Sequence, residues 1–508
     1  MNKENAQAIR HSRDMRLKLL ADPYRPRFHI CAPEGICLPF DPNGALYWKE
    51  SYHLFYIFQD ENNVHCWGHV SSHDLLHWIA HPTALKISPE DPETGIFSGA
   101  AFIGPDGMPR LIYHGCESGN SVAVAQDDRL DTWEKLSQNP ITSIKENCAE
   151  FSSWDPHAWT EGNVSYAIYG GSQPALFKSE DCINWDYCGP FISPAHRLNE
   201  AYEDYSCPDF FHLGDQDIFM FISHARGTQY YTGRFEREQF IPESMVRLNY
   251  PGGQSFANES LLDDQNRRLF WVWILDTTLP DHALETGWSG VMSLPRHMQT
   301  DAQKQPVIEP AAEITELRKN MRSFQIAPEN TEINLGVISL QTEIKLVLDL
   351  GDAAQTGIRL CSKAGEVTDI SYSLADESLK IDVSQSVRRP DTAYPVRALD
   401  IYFLENRSGL PGIGDQIKKD GWQEGVDDKM LSTGESLVQK APFSLKENKL
   451  VLDIFFDGSV LEVFPHGSLC LSQRVYFDDT KHLFAVFYTS KPTQGQISIW
   501  DMQPTNFY

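Results

Sequence analysis

Between about residues 26 and 300 the chain is a succession of short apolar or alternating runs with no helical period. HLFYIF (53–58), RLIYHG (110–115), SYAIYG (165–170), DIFMFI (217–222) and RLFWVW (268–273) are each followed by clusters of Gly, Pro, Asn and Asp. Runs of this length bounded by turn formers are strands, which restricts the region to an all-β fold. A degenerate repeat runs through it. SSHDLLHW (71–78), DDRLDTWEKL (127–136) and KSEDCINWDY (178–187) each set an acidic residue a few positions ahead of a Trp. A strand-turn-strand unit recurring about every 50 residues predicts the blades of a β-propeller, and about five fit. The residues alone also admit a β-sandwich with chance repetition of Trp.

Past Pro295 the pattern breaks into a polar stretch, QTDAQKQPVIEPAAEITELR (299–318), that reads as a connector with one helical turn. Alternating strands then return in EINLGV, EIKLVLDL, VLDIFFDG, VLEVFPHG and HLFAVFYT, a spacing that predicts a sandwich of two antiparallel sheets. The expected division is an N-terminal extension over 1–25, a propeller over 26–300, a linker over 301–325 and a β-sandwich over 326–508. The stretch from Asn406 to Gln439, rich in Gly and Asp, reads as a solvated insertion.

Charge excludes some partners. Lys and Arg number 43 against 70 Asp and Glu, a net charge of −27 that repels nucleic-acid phosphates and anionic lipid surfaces alike. A neutral small molecule such as a sugar fits better. The first 20 residues are charged throughout and lack a secretory apolar core, and no apolar run is long enough to span a bilayer, so the expected location is the cytoplasm. The 10 cysteines are scattered without CxxC pairs or metal-type spacing and are expected to be reduced thiols. No metal and no cofactor are expected.

The chemistry-bearing residues are acids in turns. Asp41 opens Asp-Pro-Asn-Gly just before a strong strand; Asp155 sits in a second Asp-Pro within SSWDPHAW (152–159); an acidic cluster follows in NEAYEDYSCPDFF (199–211). Asp-Pro-Asn-Gly is by itself an ordinary turn. In a propeller, however, inner strands begin near one end of the axis, so acids from separate blades converge there.

This constellation resembles glycoside hydrolase family 32, the invertases, inulinases, levanases and fructan exohydrolases. LPFDPNG (38–44), WDP (154–156) and YSCPDFF (205–211) are similar to the family's WMNDPNG, RDP and ECPD segments. IFSGAAF (96–102), WGHVSSHDLLHW (67–78), GWSGVMSLPR (287–296), DIFFDGSVLEVFPHG (453–467) and SQRVYF (472–477) extend the likeness to about residues 26–500. The resemblance implies a five-bladed β-propeller followed by a β-sandwich, and a retaining hydrolase that releases terminal β-fructofuranosyl units from sucrose or fructans.

It further implies roles. Asp41 is the nucleophile and Asp155 the acid that grips fructose hydroxyls and stabilises the transition state. The acid/base Glu expected directly before Cys207 is replaced by Ser206. Glu203, three positions upstream, is the favoured donor and Asp204 its competitor. Asn43, Trp67, Phe97 and Ser98 match positions that line the sugar site. The family's Gln falls at Ile57, with Gln59 on the same strand face as a substitute. The Arg of RDP is Trp154, and His157 is a candidate for the lost hydrogen bonding. A saccharide is the expected partner, with homo-oligomerisation left open. The same site also suits a fructosyltransferase or a furanosidase for another sugar. A non-catalytic carbohydrate-binding protein is the rival from another class.

Overall fold

The structure is a computed structural model that describes residues 3–37, 39–196, 198, 204–223, 226–275, 285–386 and 437–506. Glu203 and residues 406–436 of the polar insertion lie outside this set.

Five antiparallel sheets follow one another along the first three-fifths of the chain. Their first strands are Pro42–Trp48, Ile96–Ile103, Pro156–Glu161, Ser206–Leu213 and Ser255–Leu262. Each lies against the first strand of the next sheet, and the fifth lies against the first, so the ring is closed. This is a five-bladed propeller, and its inner strands are almost wholly buried.

The Trp repeat marks one recurring turn, between the third and fourth strands of blades one to three. Leu75, Leu130 and Cys182 each take a positive φ near 60° three residues before Trp78, Trp133 and Trp185. The preceding acids Asp74, Asp127 and Asp181 accept backbone N–H groups of the turn through Oδ1. Their short side chains close the turn while the following aromatic covers it. The acids of the repeat are therefore structural.

The fifth blade takes its outer strands from Arg296–Thr300 and Pro306–Pro310. The first sandwich strand opens at Arg318. The connector expected over 301–325 thus shrinks to the few residues around the single 3-10 helix Ala312–Leu317. Strand pairing with Arg296–Thr300 keeps 306–310 in the propeller despite its polar composition. Two six-stranded sheets form the sandwich, and their facing Leu, Ile, Val and Phe side chains make one core.

The N-terminal extension contains a helix, Lys3–Ala21, that the sequence reading left unassigned. Strong helix formers such as Ala, Arg, Lys, Leu and Gln predominate, and no Gly or Pro occurs before Pro23. Only Leu19 is buried. Trp288 fixes the exit from the helix by donating Nε1–H to Asp22 at 2.7 Å.

A buried ionic relay joins the two domains just ahead of the site. Glu462 of the sandwich accepts from Arg296 at 2.5 Å, from the Leu294 N–H at 2.7 Å, and pairs with His29 at 3.0 Å. His29 also meets Asp457 at 2.9 Å. Burial opposes every charge here, yet Arg296 and His29 hold the Glu462 carboxyl down at about 2.

Candidate functional site

Inner strands of a propeller run regularly only where nothing has to be aimed. Four of the five are interrupted where they meet the axis: register shifts fall between Pro42 and Ala45, Ile96 and Gly99, Ser206 and Asp209, and Phe256 and Asn258. Such bulges turn a side chain out of the pleat and are typical of functional rims. Ser98, Cys207 and Ala257 sit inside them, and Cys207 and Ala257 have positive φ, a conformation costly for residues with a side chain.

Asp41 precedes the first bulge. Its carbonyl oxygen accepts from the Ile57 N–H and from Asn43 Nδ2, both at 3.1 Å, which pins its backbone to the second strand. Gly44 supplies the turn at φ +89°; a Cβ there would lie 3.1 Å from the Ala101 nitrogen. From the neighbouring inner strand of blade five, buried Glu259 accepts the Ala45 N–H at 3.2 Å. Burial, and after it Asp209, pushes the Glu259 carboxyl well up.

The Asp41 side chain meets the other blades. Ser98 Oγ donates to Asp41 Oδ2 at 3.1 Å. Asp155 Oδ2 accepts the Cys207 N–H at 3.0 Å. The Cys207 thiol lies 3.9 Å from both Asp41 Oδ2 and Asp155 Oδ2, so these two oxygens are no more than twice that far apart. Burial, then Asp155 and Asp41, raise the thiol pKa well above its ordinary value, so the sulfur adds no third negative charge.

These groups face one cavity. Pro39, Asp41, Ile57, Phe97, Ser98, Trp154, Asp155, Cys207, Ile222 and Phe256 line it. Its floor is mainly apolar, and two acidic side chains converge on it. Such a lining can pack the apolar side of a hydroxyl-bearing ring and place an attacking carboxylate beside it.

Of the expected residues, Asp41, Asp155, Phe97, Ser98 and Trp154 are brought together, and Asn43 supports Asp41 from behind. Three others lie off the described lining of the cavity. Trp67 is fully buried outside the cavity, where its Nε1–H holds the Phe97 carbonyl at 2.9 Å; it backs the wall without forming it. Gln59 does not line the cavity either. It shares a face with Ile57 but lies about 7 Å further along the strand, opposite His65, so the lining residue is the apolar Ile57. His157 likewise lies two residues beyond Asp155, buried 3.8 Å from Asp209, and burial lowers its pKa. Cys207, Ile222 and Phe256 were missed. Cys207 stood in the recognised CPD segment, but no alternation rule predicts that a bulge will turn it inward.

Around Ser206 the structure adds a link. Trp154 Nε1–H donates to Ser206 Oγ at 3.0 Å, and Ser206 Oγ–H donates to Asp204 Oδ2 at 2.8 Å. The cavity wall is thereby connected to the Asp204 carboxylate. Packing there is tight, since a Cβ on Gly170 would stand 2.5 Å from the Tyr205 carbonyl oxygen.

Comparison with known proteins matches residues 29–310 to the glycosyl hydrolases family 32 N-terminal domain and residues 313–501 to the family 32 C-terminal domain. The chain belongs to glycosyl hydrolase family 32. Among family members, the Arabidopsis thaliana β-fructofuranosidase, insoluble isoenzyme CWINV1, is 25% identical over 92% of this chain and 88% of its own length. A fructan 1-exohydrolase of Triticum urartu is 29% identical over 91% and 85%. A fructan 6-exohydrolase of Beta vulgaris is 32% identical over 59% and 56%. The crystal structure of fructan 1-exohydrolase IIa from Cichorium intybus superposes with a TM-score of 0.77 at 21% identity, over 95% of this chain and 98% of that one. In this family 32 chain the propeller carries the candidate site and the sandwich braces it through Glu462.

Proposed function

We propose that this family 32 glycoside hydrolase releases a terminal β-fructofuranosyl unit from sucrose or a fructan by double displacement with retention. The observation that carries the reading is the convergence of Asp41 and Asp155, from blades one and three, on one cavity walled by Phe97 and Trp154.

Asp41 attacks the anomeric carbon while a carboxylic acid protonates the departing glycosidic oxygen, so the C–O bond breaks as the ester to Asp41 forms. The same acid, now a carboxylate, takes a proton from water, which cleaves the ester and restores Asp41. Asp155 holds ring hydroxyls, and hydrogen bonds to them strengthen as positive charge builds on the ring. Phe97 and Trp154 offer aromatic faces to the apolar side of the sugar. Ser206 cannot be the acid, since a hydroxyl is too weak a donor to an alkoxide. Glu203 is the proposed proton donor. Asp204 is the second reading, favoured by its hydrogen bond from Ser206.

The test incubates pure protein with sucrose, 1-kestose, inulin and levan and measures free fructose. Asp41→Asn should abolish release. Glu203→Gln should abolish it too, with azide restoring turnover of an activated fructoside, while Asp204→Asn and Ser206→Ala stay active. Loss in Asp204→Asn with an active Glu203→Gln reassigns the donor to Asp204. Binding without release of fructose from any of these substrates refutes the hydrolase reading.

A further inference from the structure

Away from the cavity, three histidines and an aspartate from three stretches of chain meet between the outer parts of blades one and two. His53 and His69 lie on the second and third strands of blade one. His81 follows the short edge strand Ile79–Ala80, and Asp131 lies in the outer turn of blade two. The rings of His69 and His81 stack with centroids 4.1 Å apart, and His53 lies beside both, 5.1 Å from His69 and 6.3 Å from His81.

His53 Nδ1 and His69 Nε2 share a hydrogen bond of 2.9 Å. The other ring nitrogen, His69 Nδ1, is buried and has no hydrogen-bond partner among the described residues. A buried polar atom with no partner costs about 1–3 kcal/mol and calls for an explanation.

A Lewis acid supplies one. His69, His81 and Asp131 each place one ligand atom within 4.8 Å of the other two. We propose that His69 Nδ1, His81 Nδ1 and an Asp131 carboxylate oxygen form a binding site for a zinc-class divalent transition metal that staples blade one to blade two. The ion replaces the proton that His81 Nδ1 shares with Asp131 Oδ1 at 2.6 Å, and that proton leaves to solvent. His81 Nε2 and Ser71 Oγ, 2.7 Å apart, form an outer contact that holds the His81 ring, the usual support of a metal-bound imidazole. Arg129, 3.3 Å from Asp131 Oδ2, supports the carboxylate from outside.

Two imidazoles and one carboxylate favour zinc, cobalt or nickel over calcium or magnesium, and a water completes four-coordination. Tetrahedral bonds of about 2.0–2.1 Å require ligand atoms about 3.3 Å apart, so the 2.6 Å His81–Asp131 pair must open, the wider separations must close and the stacked rings must tilt. His69 is fixed in the core, but His81 and Asp131 stand on an edge and a turn and are partly exposed, so they are the parts that move. The ligands sit at 69, 81 and 131 on three segments, which is why no spacing rule found them.

The experiment strips the full-length protein with a chelator and titrates it with Co²⁺. One equivalent should bind with visible d–d absorption of tetrahedral type, Zn²⁺ should displace it, and Zn²⁺ should raise the melting temperature. His81→Gln and Asp131→Asn should each weaken Co²⁺ binding at least tenfold while melting like the parent in chelator. Neither position belongs to the sugar site, so the result does not depend on the activity. Absence of stoichiometric Co²⁺ binding overturns the proposal. So does binding that both variants leave unchanged, or a thiolate charge-transfer band that assigns the ion to cysteine.

Discussion

Replacing Ser98 by Ala removes a buried donor from the proposed nucleophile and leaves the strand that carries it intact. Ser98 Oγ donates to Asp41 Oδ2 at 3.1 Å from a position only 5% exposed. A hydrogen bond to a charged acceptor contributes about 1.5–3 kcal/mol. A second contact to that oxygen, from the Cys207 thiol at 3.9 Å, is weak and distant. The terminal torsion of an Asp side chain is soft, so without Ser98 the carboxylate swings away from the attack line. At about 1.4 kcal/mol per tenfold in rate, kcat/KM for sucrose should fall about 10- to 150-fold, mostly in kcat. The assay is initial-rate fructose release across a range of sucrose concentrations, with a melting curve to confirm folding. A variant within twofold of the parent would refute the claim that Ser98 aims Asp41.

Other predictions follow from the same reading of buried charge. Against the downward pull of burial, Asp453 at 2.6 Å and Glu309 at 2.8 Å raise His466 to about 9. The stabilisation this represents is fully present below the ordinary histidine value of about 6.5 and is lost as pH rises through about 9, at most about 3 kcal/mol. Melting temperatures from pH 6 to 10 should show that decline in the parent and not in His466→Gln. Glu462→Gln leaves Arg296 buried without its counter-charge and should cost about 3–5 kcal/mol in urea unfolding; a loss below about 1 kcal/mol contradicts the relay. Because that carboxyl is held at about 2, its contribution is present above its ordinary range and fades only as pH falls toward 2, a fading the Gln variant should lack. Trp154→Phe keeps an aromatic face but frees Ser206, so KM and kcat for sucrose should separate, with Ser206→Ala reproducing the kcat part.

The alternation of runs such as HLFYIF and RLFWVW specified strands, and the spacing of Asp74, Asp127 and Asp181 ahead of Trp specified one repeated turn, because both are local properties of the backbone. Local sequence also marked Asp41 and Asp155, since an acid before Pro at the mouth of a strand keeps its place in any blade. Alternation, however, states which face a side chain takes and not how far along the axis it lies. Ile57 and Gln59 share a face, as do Asp155 and His157, yet only the first of each pair lines the cavity. That depth is set by closure of five blades around the axis, and by bulges at Ser98, Cys207 and Ala257 that no period predicts, the last two with positive φ. Tertiary structure alone joined Trp154 to Ser206 and Asp204, and His69 to His81 and Asp131. Such contacts arise when distant segments pack, and packing is a property of the whole chain.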